Sequence, residues 1–289
     1  MDSQETPSEA APAASGEPRQ HPDRGPRRDF RGPRKDAPRG RKEAPVDDDH
    51  GILLVDKPLS WTSHDVVNFV RRRHNLSKVG HCGTLDPLAT GLLVLVLGKA
   101  TRMAEHLAAE DKIYSSTLTL GKATASYDSD GEVTEEKPWE QITEAEVRLV
   151  FSRYIGELSQ MPPMVSAVKV GGKKLYELAR KGIEIERAAR PIKITSLKID
   201  RIALPEIDFT LHCSKGTYVR TLCHDIGHDL GSCAHMSALR RHRSGVFRLE
   251  DAVTIDEIRE KDRDFMRSKM VPLATMLTRL AAAGLLKKD

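Results

Sequence analysis

Gly80-His81-Cys82-Gly83-Thr84-Leu85-Asp86-Pro87-Leu88-Ala89-Thr90-Gly91 places an imidazole, a carboxylate and several glycines in one polar segment between two regular elements. Loops positioned in this way often carry chemistry. Taken alone, Asp86 before Pro87 fits an Asx turn or a helix cap as well as it fits catalysis. Upstream, Ile52 to Val55 is a short apolar run closed by Asp56, Lys57 and Pro58, which reads as a buried strand ending in a turn. Thr62 or Ser63 can then cap a helix. Its Val66, Val67 and Val70 recur at helical spacing, and Arg71, Arg72 and Arg73 sit where they favour the C-terminal dipole. A loop is expected through Gly80 to Pro87, and Leu92 to Leu97 is expected to form a second buried strand.

Further along, Ala100 to Ala109 reads as a helix and Tyr114 to Leu120 as an alternating strand leading into a turn through Asp128 to Gly131. Thr143 and Glu146 form a capping box. Val165 to Lys174 resembles a hairpin around Gly171-Gly172, followed by a short basic helix, Leu175 to Lys181, stopped by Gly182. Strands are expected at about Ile192 to Leu204 and Ile207 to Cys213, and a helix from Tyr218 to Leu230. Several neighbouring strands are joined by short links, so the sheet should be mixed or antiparallel and the fold class α+β. The last forty or so residues read as one or two helices.

The first 49 residues hold eight of the sixteen prolines and almost no large apolar side chains, too little to offset the entropy of ordering. Between Arg19 and Lys42, ten lysines and arginines face only Asp23, Asp29 and Asp36, while Asp2, Glu5, Glu9 and Glu17 make the preceding stretch acidic. This arm is expected to be disordered, either a solvating tail or a non-specific RNA tether. The overall charge of +4 establishes no partner by itself. The longest apolar run is too short to span a bilayer and the polar start lacks a secretory apolar region, so the expected location is cytoplasmic.

Cys82, Cys213, Cys223 and Cys233 form no C-x-x-C pair, and with His212, His224 and His235 they match no standard zinc spacing. Reduced thiols are expected. Gly98-Lys99 lacks both the earlier glycine and the following hydroxyl of a phosphate-binding loop, and Asp128-Ser129-Asp130-Gly131 is too short for a calcium ladder and reads as a tight turn.

Six blocks, taken in order, change the weight on Asp86. Gly80, His81, Gly83, Leu85, Asp86, Pro87, Ala89 and Gly91 match the pattern G-H-x-G-x-L-D-P-x-A-x-G. With them stand Leu54-Val-Asp-Lys57-Pro58, Asp111-Lys-Ile-Tyr114, Pro163-Met-Val-Ser-Ala-Val-Lys169, the glycine-bounded segment from Gly172 to Gly182, and Cys213-Ser-Lys-Gly-Thr-Tyr-Val-Arg220. From Gly51 to about Val253 the chain resembles the TruB family of tRNA pseudouridine synthases.

The resemblance implies a pseudouridine synthase fold, with a catalytic domain over residues 50–253, a thumb-like insertion at about 163–191 and a short helical segment at 254–289 in place of a complete PUA domain. It implies that Asp86 is the catalytic carboxylate, acting as a nucleophile or as a base, and that Arg220 is its ion-pair partner. Tyr114 would stack on a flipped base, His81 would contact the RNA, and Tyr218 and Leu239 would line the uracil pocket. Lys57 would support the loop or a phosphate. Lys169, Lys173, Lys174, Arg180 and Lys181, with Arg240, Arg241 and Arg243, would meet RNA phosphates. The implied substrate is the TΨC arm of tRNA, with no cofactor, no metal, no membrane, no obligatory protein partner and a monomeric state. Ala125-Ser126, where the family usually has Asp-Thr, and Cys82, where Thr is more frequent, depart from the pattern. A tRNA-folding chaperone and a guide-RNA-dependent synthase of the dyskerin type are the competing readings.

Overall fold

The computed structural model describes residues 49–166, 169–170, 173–174, 183 and 185–282. Strand β1 (Gly51–Lys57) leads to helix α1 (Ser63–Arg73), whose N-cap is Thr62: its hydroxyl accepts from the Asp65 amide, and Asp65 answers the Thr62 amide. A cap of this kind is worth about 1 kcal/mol. Val66, Val67 and Val70 are the buried stripe. Strand β2 (Val79–Cys82) follows, where a loop was expected. It pairs antiparallel with β3 (Thr90–Leu97), setting His81 against Leu95 and Cys82 against Val94. Two glycines' worth of missing side chain around His81 hid its strand character from the alternation test.

The β1 and β3 runs are continuously apolar because both faces are covered. Leu53, Val55, Leu93 and Leu95 join the main core with α1, whereas Ile52, Leu54, Leu92 and Val94 face a second core with Ala100, Met103, Leu107 and Met276. The segment expected as one helix from Ala100 is a 3₁₀ stretch, Gly98–Met103, running into α2 (Ala104–Ala108). The Thr101 hydroxyl donates to the Gly98 carbonyl, consistent with the tighter first turn.

Strand β4 (Lys112–Leu120) alternates strictly between buried and half-buried residues. A ribbon of β5 (Lys122–Thr124) and β6 (Val133–Glu136) encloses the expected tight turn. Helix α3 (Glu144–Ser152) has the expected capping box at Thr143. Beyond β7 (Gly156–Gln160), β8 (Lys169–Val170) and β9 (Lys173–Lys174) form the expected hairpin. The basic helix 175–181 with Arg180 and Lys181, the side chains of Lys169, Lys173 and Lys174, and the arm up to residue 48 lie outside the described residues. Asp49, expected in that arm, is instead buried and ion-paired with Arg263 and Arg267. Strands β10 (Arg190–Ala203) and β11 (Glu206–Cys213) precede α4 (Val219–Asp229).

Next comes β12 (Ala234–Ser244), a central strand absent from the sequence reading. The main sheet runs in the order β14 (Val253–Thr254), β1, β3, β12, β4, β11, β10, β7, with β13 (Phe247–Arg248) beside β12 and β15 (Val271–Pro272) beside β1. It is mixed and mostly antiparallel; β12 with β3 and β1 with β14 are its parallel pairs. The C-terminal segment holds α5 (Ile255–Glu260), α6 (Arg263–Lys269) and α7 (Leu273–Ala282), more structure than the one or two helices expected. Two-residue strands are too short to carry a period, which is why β14 and β15 left no sequence signal. Among the described residues no helix is long and apolar enough to cross a membrane.

Candidate active site

A cavity of about 250 Å³ gathers Asp86, Tyr114, Tyr218, Arg220 and Leu239 on its wall, together with Lys112, Ser166, Gly216, Thr217 and Arg241. Five of the seven residues singled out from sequence therefore meet in one place, drawn from the β2–β3 loop, β4, the start of α4 and β12. The first turn of α4 has no side-chain cap, which leaves the positive end of its dipole on the wall formed by Tyr218, Val219 and Arg220.

The loop that carries Asp86 is fixed through its backbone on both sides. Ser63, beside the N-cap, donates its hydroxyl to the Leu85 carbonyl at 3.0 Å and accepts from the Leu85 amide at 2.8 Å. The Pro87 carbonyl accepts from the Ser60 amide at 2.9 Å and from Lys57 Nζ at 3.3 Å. Lys57 is fully buried, and its ammonium also donates to the carbonyls of Pro58 and Trp61 at 2.9 and 2.6 Å. Burial lowers its pKa to about 8. The ammonium thus ties together the carbonyls of Pro58, Trp61 and Pro87.

Arg220, only 4% exposed, sets its Nε 3.0 Å from Asp86 Oδ2 and its Nη1 3.5 Å from Asp128 Oδ2. The same guanidinium donates to the carbonyls of Ser126 and Val165, both at 2.9 Å. Asp128 was read only as part of a turn. It is buried, accepts from the Ser126 hydroxyl and the Asp130 amide, and is stitched to β12 by bonds from Ser129 to Met236 and from Met236 to Tyr127. Ser126, one of the departures from the family pattern, is thus a holder of this second carboxylate. The signal that could have found Asp128 was its burial, which sequence does not give.

Asp86 keeps 36% of its side chain open to the cavity. The surrounding walls nevertheless raise its pKa above the ordinary value, burial being the largest cause and Asp128 adding to it; Arg220, and more weakly Lys57, oppose the rise. The guanidinium acts in the expected direction, but the net shift is upward because the pair stands in a desolvated place with a second carboxylate. Tyr114 is buried to 8% exposure, and burial pushes its phenol up. Gln160 clamps the Tyr218 backbone, its amide oxygen accepting from the Tyr218 amide at 2.8 Å and its amide nitrogen donating to the Tyr218 carbonyl at 3.0 Å. Leu239 lies beside a bulge in β12 whose Ala238 carbonyl accepts from Ser116.

His81 and Lys57 are not on the cavity wall. His81 sits half-buried on β2, where burial and the charge of Arg241 push its imidazole down, so it is mainly neutral at pH 7. The basic trio of β12 divides. Arg240 makes two bonds to the Asp56 carboxylate, Arg243 is exposed, and Arg241 is fully buried, against the expectation that all three meet phosphate. Arg241 is paired with Gly91 of β3, and the two backbones pack so closely that an added Cβ at Gly91 would stand 2.4 Å from the Arg241 carbonyl oxygen. Among the described residues no three histidine, cysteine or acidic side chains cluster as a metal site.

Residues 71–219 match the family model of the TruB family pseudouridylate synthase N-terminal domain, and residues 220–278 match that of the tRNA pseudouridylate synthase B C-terminal domain. The chain belongs to the TruB family. The two matched segments meet inside α4, so Asp86 comes from the first and Arg220 from the second. Among similar curated proteins, the tRNA pseudouridine synthase B of Opitutus terrae is 49% identical over 223 residues, covering 77% of this chain and 92% of that protein. The protein of the same name from Syntrophotalea carbinolica is 50% identical over 209 residues, covering 72% of this chain and 68% of that protein. The solved structure "Crystal Structure of a Cbf5-Nop10-Gar1 Complex" contains a similar chain, at a TM-score of 0.60 and 31% identity over 78% of this chain. This chain spans 61% of that one. The TruB-family chain is a pseudouridylate synthase with the pseudouridine synthase fold expected of it.

Three outcomes follow from this TruB-family site. Ser63→Ala leaves the buried Leu85 amide and carbonyl without their partner, at a cost of about 1–3 kcal/mol. It should lower both the melting temperature and kcat while the affinity for RNA holds; unchanged kcat in a folded variant would show that the loop needs no such bracket. A reaction that needs Asp86 ionised should show kcat climbing with pH along an acid limb centred above the ordinary carboxylate range. Asp128→Asn removes a charge that raises this pKa, so the limb should move to lower pH in a kcat–pH profile.

Proposed function

We propose that the enzyme isomerises the uridine conventionally numbered 55 in the TΨC loop of tRNA to pseudouridine, with Asp86 as the catalytic carboxylate. The observation that carries the reading is the Asp86–Arg220 ion pair at 3.0 Å on the wall of a cavity that also holds Tyr114, Tyr218 and Leu239. A uracil buried in a stacked loop must be extruded, at a cost of a few kcal/mol, before any group can reach its glycosidic bond. Tyr114 supplies an aromatic face for it, and stacking of this kind is worth about 1–3 kcal/mol per base.

Asp86, ionised, acts as a nucleophile or as a base on the ribose; both roles use the same position beside Arg220. The C1′–N1 bond breaks, the base turns, C5 bonds to C1′, the C5 proton leaves to solvent and N1 carries a proton in the product. Tyr218 and Leu239 hold the base during the turn, His81 contacts the RNA as the nucleotide leaves the stack, and no metal or other cofactor takes part. The catalytic domain is assigned to residues 50–253 and the thumb-like insertion at about 163–191 to closing on the tRNA arm. The arm up to residue 48 tethers RNA or solvates the chain and is not needed for turnover; Asp49 belongs to the fold through Arg263 and Arg267.

The likeness to a chain solved in a multi-protein complex supports a second reading, a partner-dependent or guide-RNA-dependent synthase. The high identity to proteins named tRNA pseudouridine synthase B favours the stand-alone tRNA enzyme. Tritium release from C5-labelled uridine in a bare tRNA transcript, with chelator present, separates them. The intact protein and a version lacking residues 1–48 should both release tritium, and a transcript carrying cytidine at position 55 should release no site-specific counts. Release only after partner proteins or a guide RNA are added would overturn the stand-alone reading. RNA refolding without any release would leave a chaperone.

A further inference from the structure

Arg241 is 1% exposed in a wall of the catalytic cavity, and it forms no ion pair with a carboxylate among the described residues. Its donors go elsewhere. Nε donates to the Leu92 carbonyl at 2.7 Å and Nη2 to the Gly83 carbonyl at 3.2 Å. Tyr114 stands across from Arg241 on the wall of the same cavity, and the guanidinium charge opposes the rise that burial imposes on its phenol. The backbone repeats the pattern: Arg241 pairs with Gly91 of β3 on one side and with Tyr114 of β4 on the other. One residue therefore touches the start of the catalytic loop, the end of that loop and the residue placed to stack on the base.

A buried cation without a counter-ion is costly, and an apolar residue would fill the same core more cheaply. What an apolar residue cannot do is reach several acceptors on separate elements at once. A planar fork of five N–H donors can, and a lysine ammonium on its flexible stem does so poorly. We propose that Arg241 is a positioning residue for the uridine isomerisation, locking the Asp86 loop at Gly83 in register with Tyr114 so that carboxylate and stacked base meet at a fixed separation. This rests on the function proposed above. It replaces the phosphate contact expected from the run Arg240-Arg241-His242-Arg243.

The test uses the full-length protein and tRNA transcript, comparing the parent, Arg241→Lys, Arg241→Met and Tyr114→Phe with the double variant Arg241→Lys/Tyr114→Phe. Thermal melts establish which variants fold; if the methionine variant does not, the lysine variant decides. Arg241→Lys should lower kcat by about 10- to 100-fold with KM for tRNA changed less than about threefold, since misplacement of reacting groups acts on the chemical step. The double variant should lose less than the product of the two single losses, because both changes act on one cross-strand pair, Arg241 and Tyr114. A folded lysine variant with kcat within twofold of the parent overturns the proposal. So does a raised KM with a reduced salt dependence of binding and an unchanged kcat, the mark of a phosphate contact. An inactive parent would instead overturn the proposed function, leaving the two failures distinguishable.

Discussion

Asparagine in place of Asp86 is expected to reduce turnover by at least about ten-thousandfold while tRNA affinity stays within about twofold, the pattern of a group that acts only on the chemical step. The substitution keeps the size of the side chain and an oxygen able to accept from Arg220 Nε, which lies 3.0 Å from the carboxylate. It removes the charge. An amide is neither a competent nucleophile toward a ribosyl carbon nor a base at neutral pH, so both roles open to Asp86 are lost together. The melting temperature supplies a control whose sign follows from the pKa. For an acid whose folded-state value is raised, the native protein binds more protons than the unfolded chain between the two values, so stability falls as pH rises through that window. At neutral pH the charge of Asp86 works against folding. The asparagine variant should thus melt no lower than the parent, and single-turnover assays should find it bound but inert. Residual turnover near the parental rate would remove Asp86 from the chemistry.

Arg220→Met is the second large effect expected, a fall in kcat of about a hundred- to a thousandfold at pH 7, from loss of charge stabilisation beside the acid–base centre. The methionine leaves Asp86 and Asp128 facing each other without the cation between them, and it strips the Ser126 and Val165 carbonyls of their donor. The Asp86 pKa should climb, so part of the lost rate should return as the pH is raised. Arg220→Lys should recover only part of the activity, because one ammonium cannot reach all four acceptors. A kcat–pH profile of the methionine variant with the parental midpoint would show that Arg220 does not govern the ionisation of Asp86.

The sequence made the periodic elements legible: α1 with its cap, the buried strands β1 and β3, the alternating β4, and α3 with its capping box. The catalytic loop was legible through a different signal, the ordered blocks of residues that resemble the TruB family. What was hidden has a common cause. Strand β12 carries Arg240, Arg241, His242 and Arg243, and two bulges break its alternation, so a run of charge looked like surface when one member is buried at the centre of the sheet. Asp128 was hidden because a turn and a buried ligand of a guanidinium use the same residue types. Ser63 was one of two adjacent hydroxyls, and nothing in the order of residues says that Thr62 caps the helix while Ser63 holds Leu85.

The place of β12 between β3 and β4 has a consequence for biosynthesis. Those two strands make no hydrogen bonds to each other; the strand that joins them is synthesised more than a hundred residues after either begins. A ribosome that has delivered the Asp86 loop and Tyr114 has delivered β1 and β2, each paired to β3, and a lone β4 whose partners β11 and β12 are still to come. The nascent chain therefore cannot complete the cavity until residues 234–244 leave the exit tunnel, and β4 lacks its β12 partner along one whole edge until then.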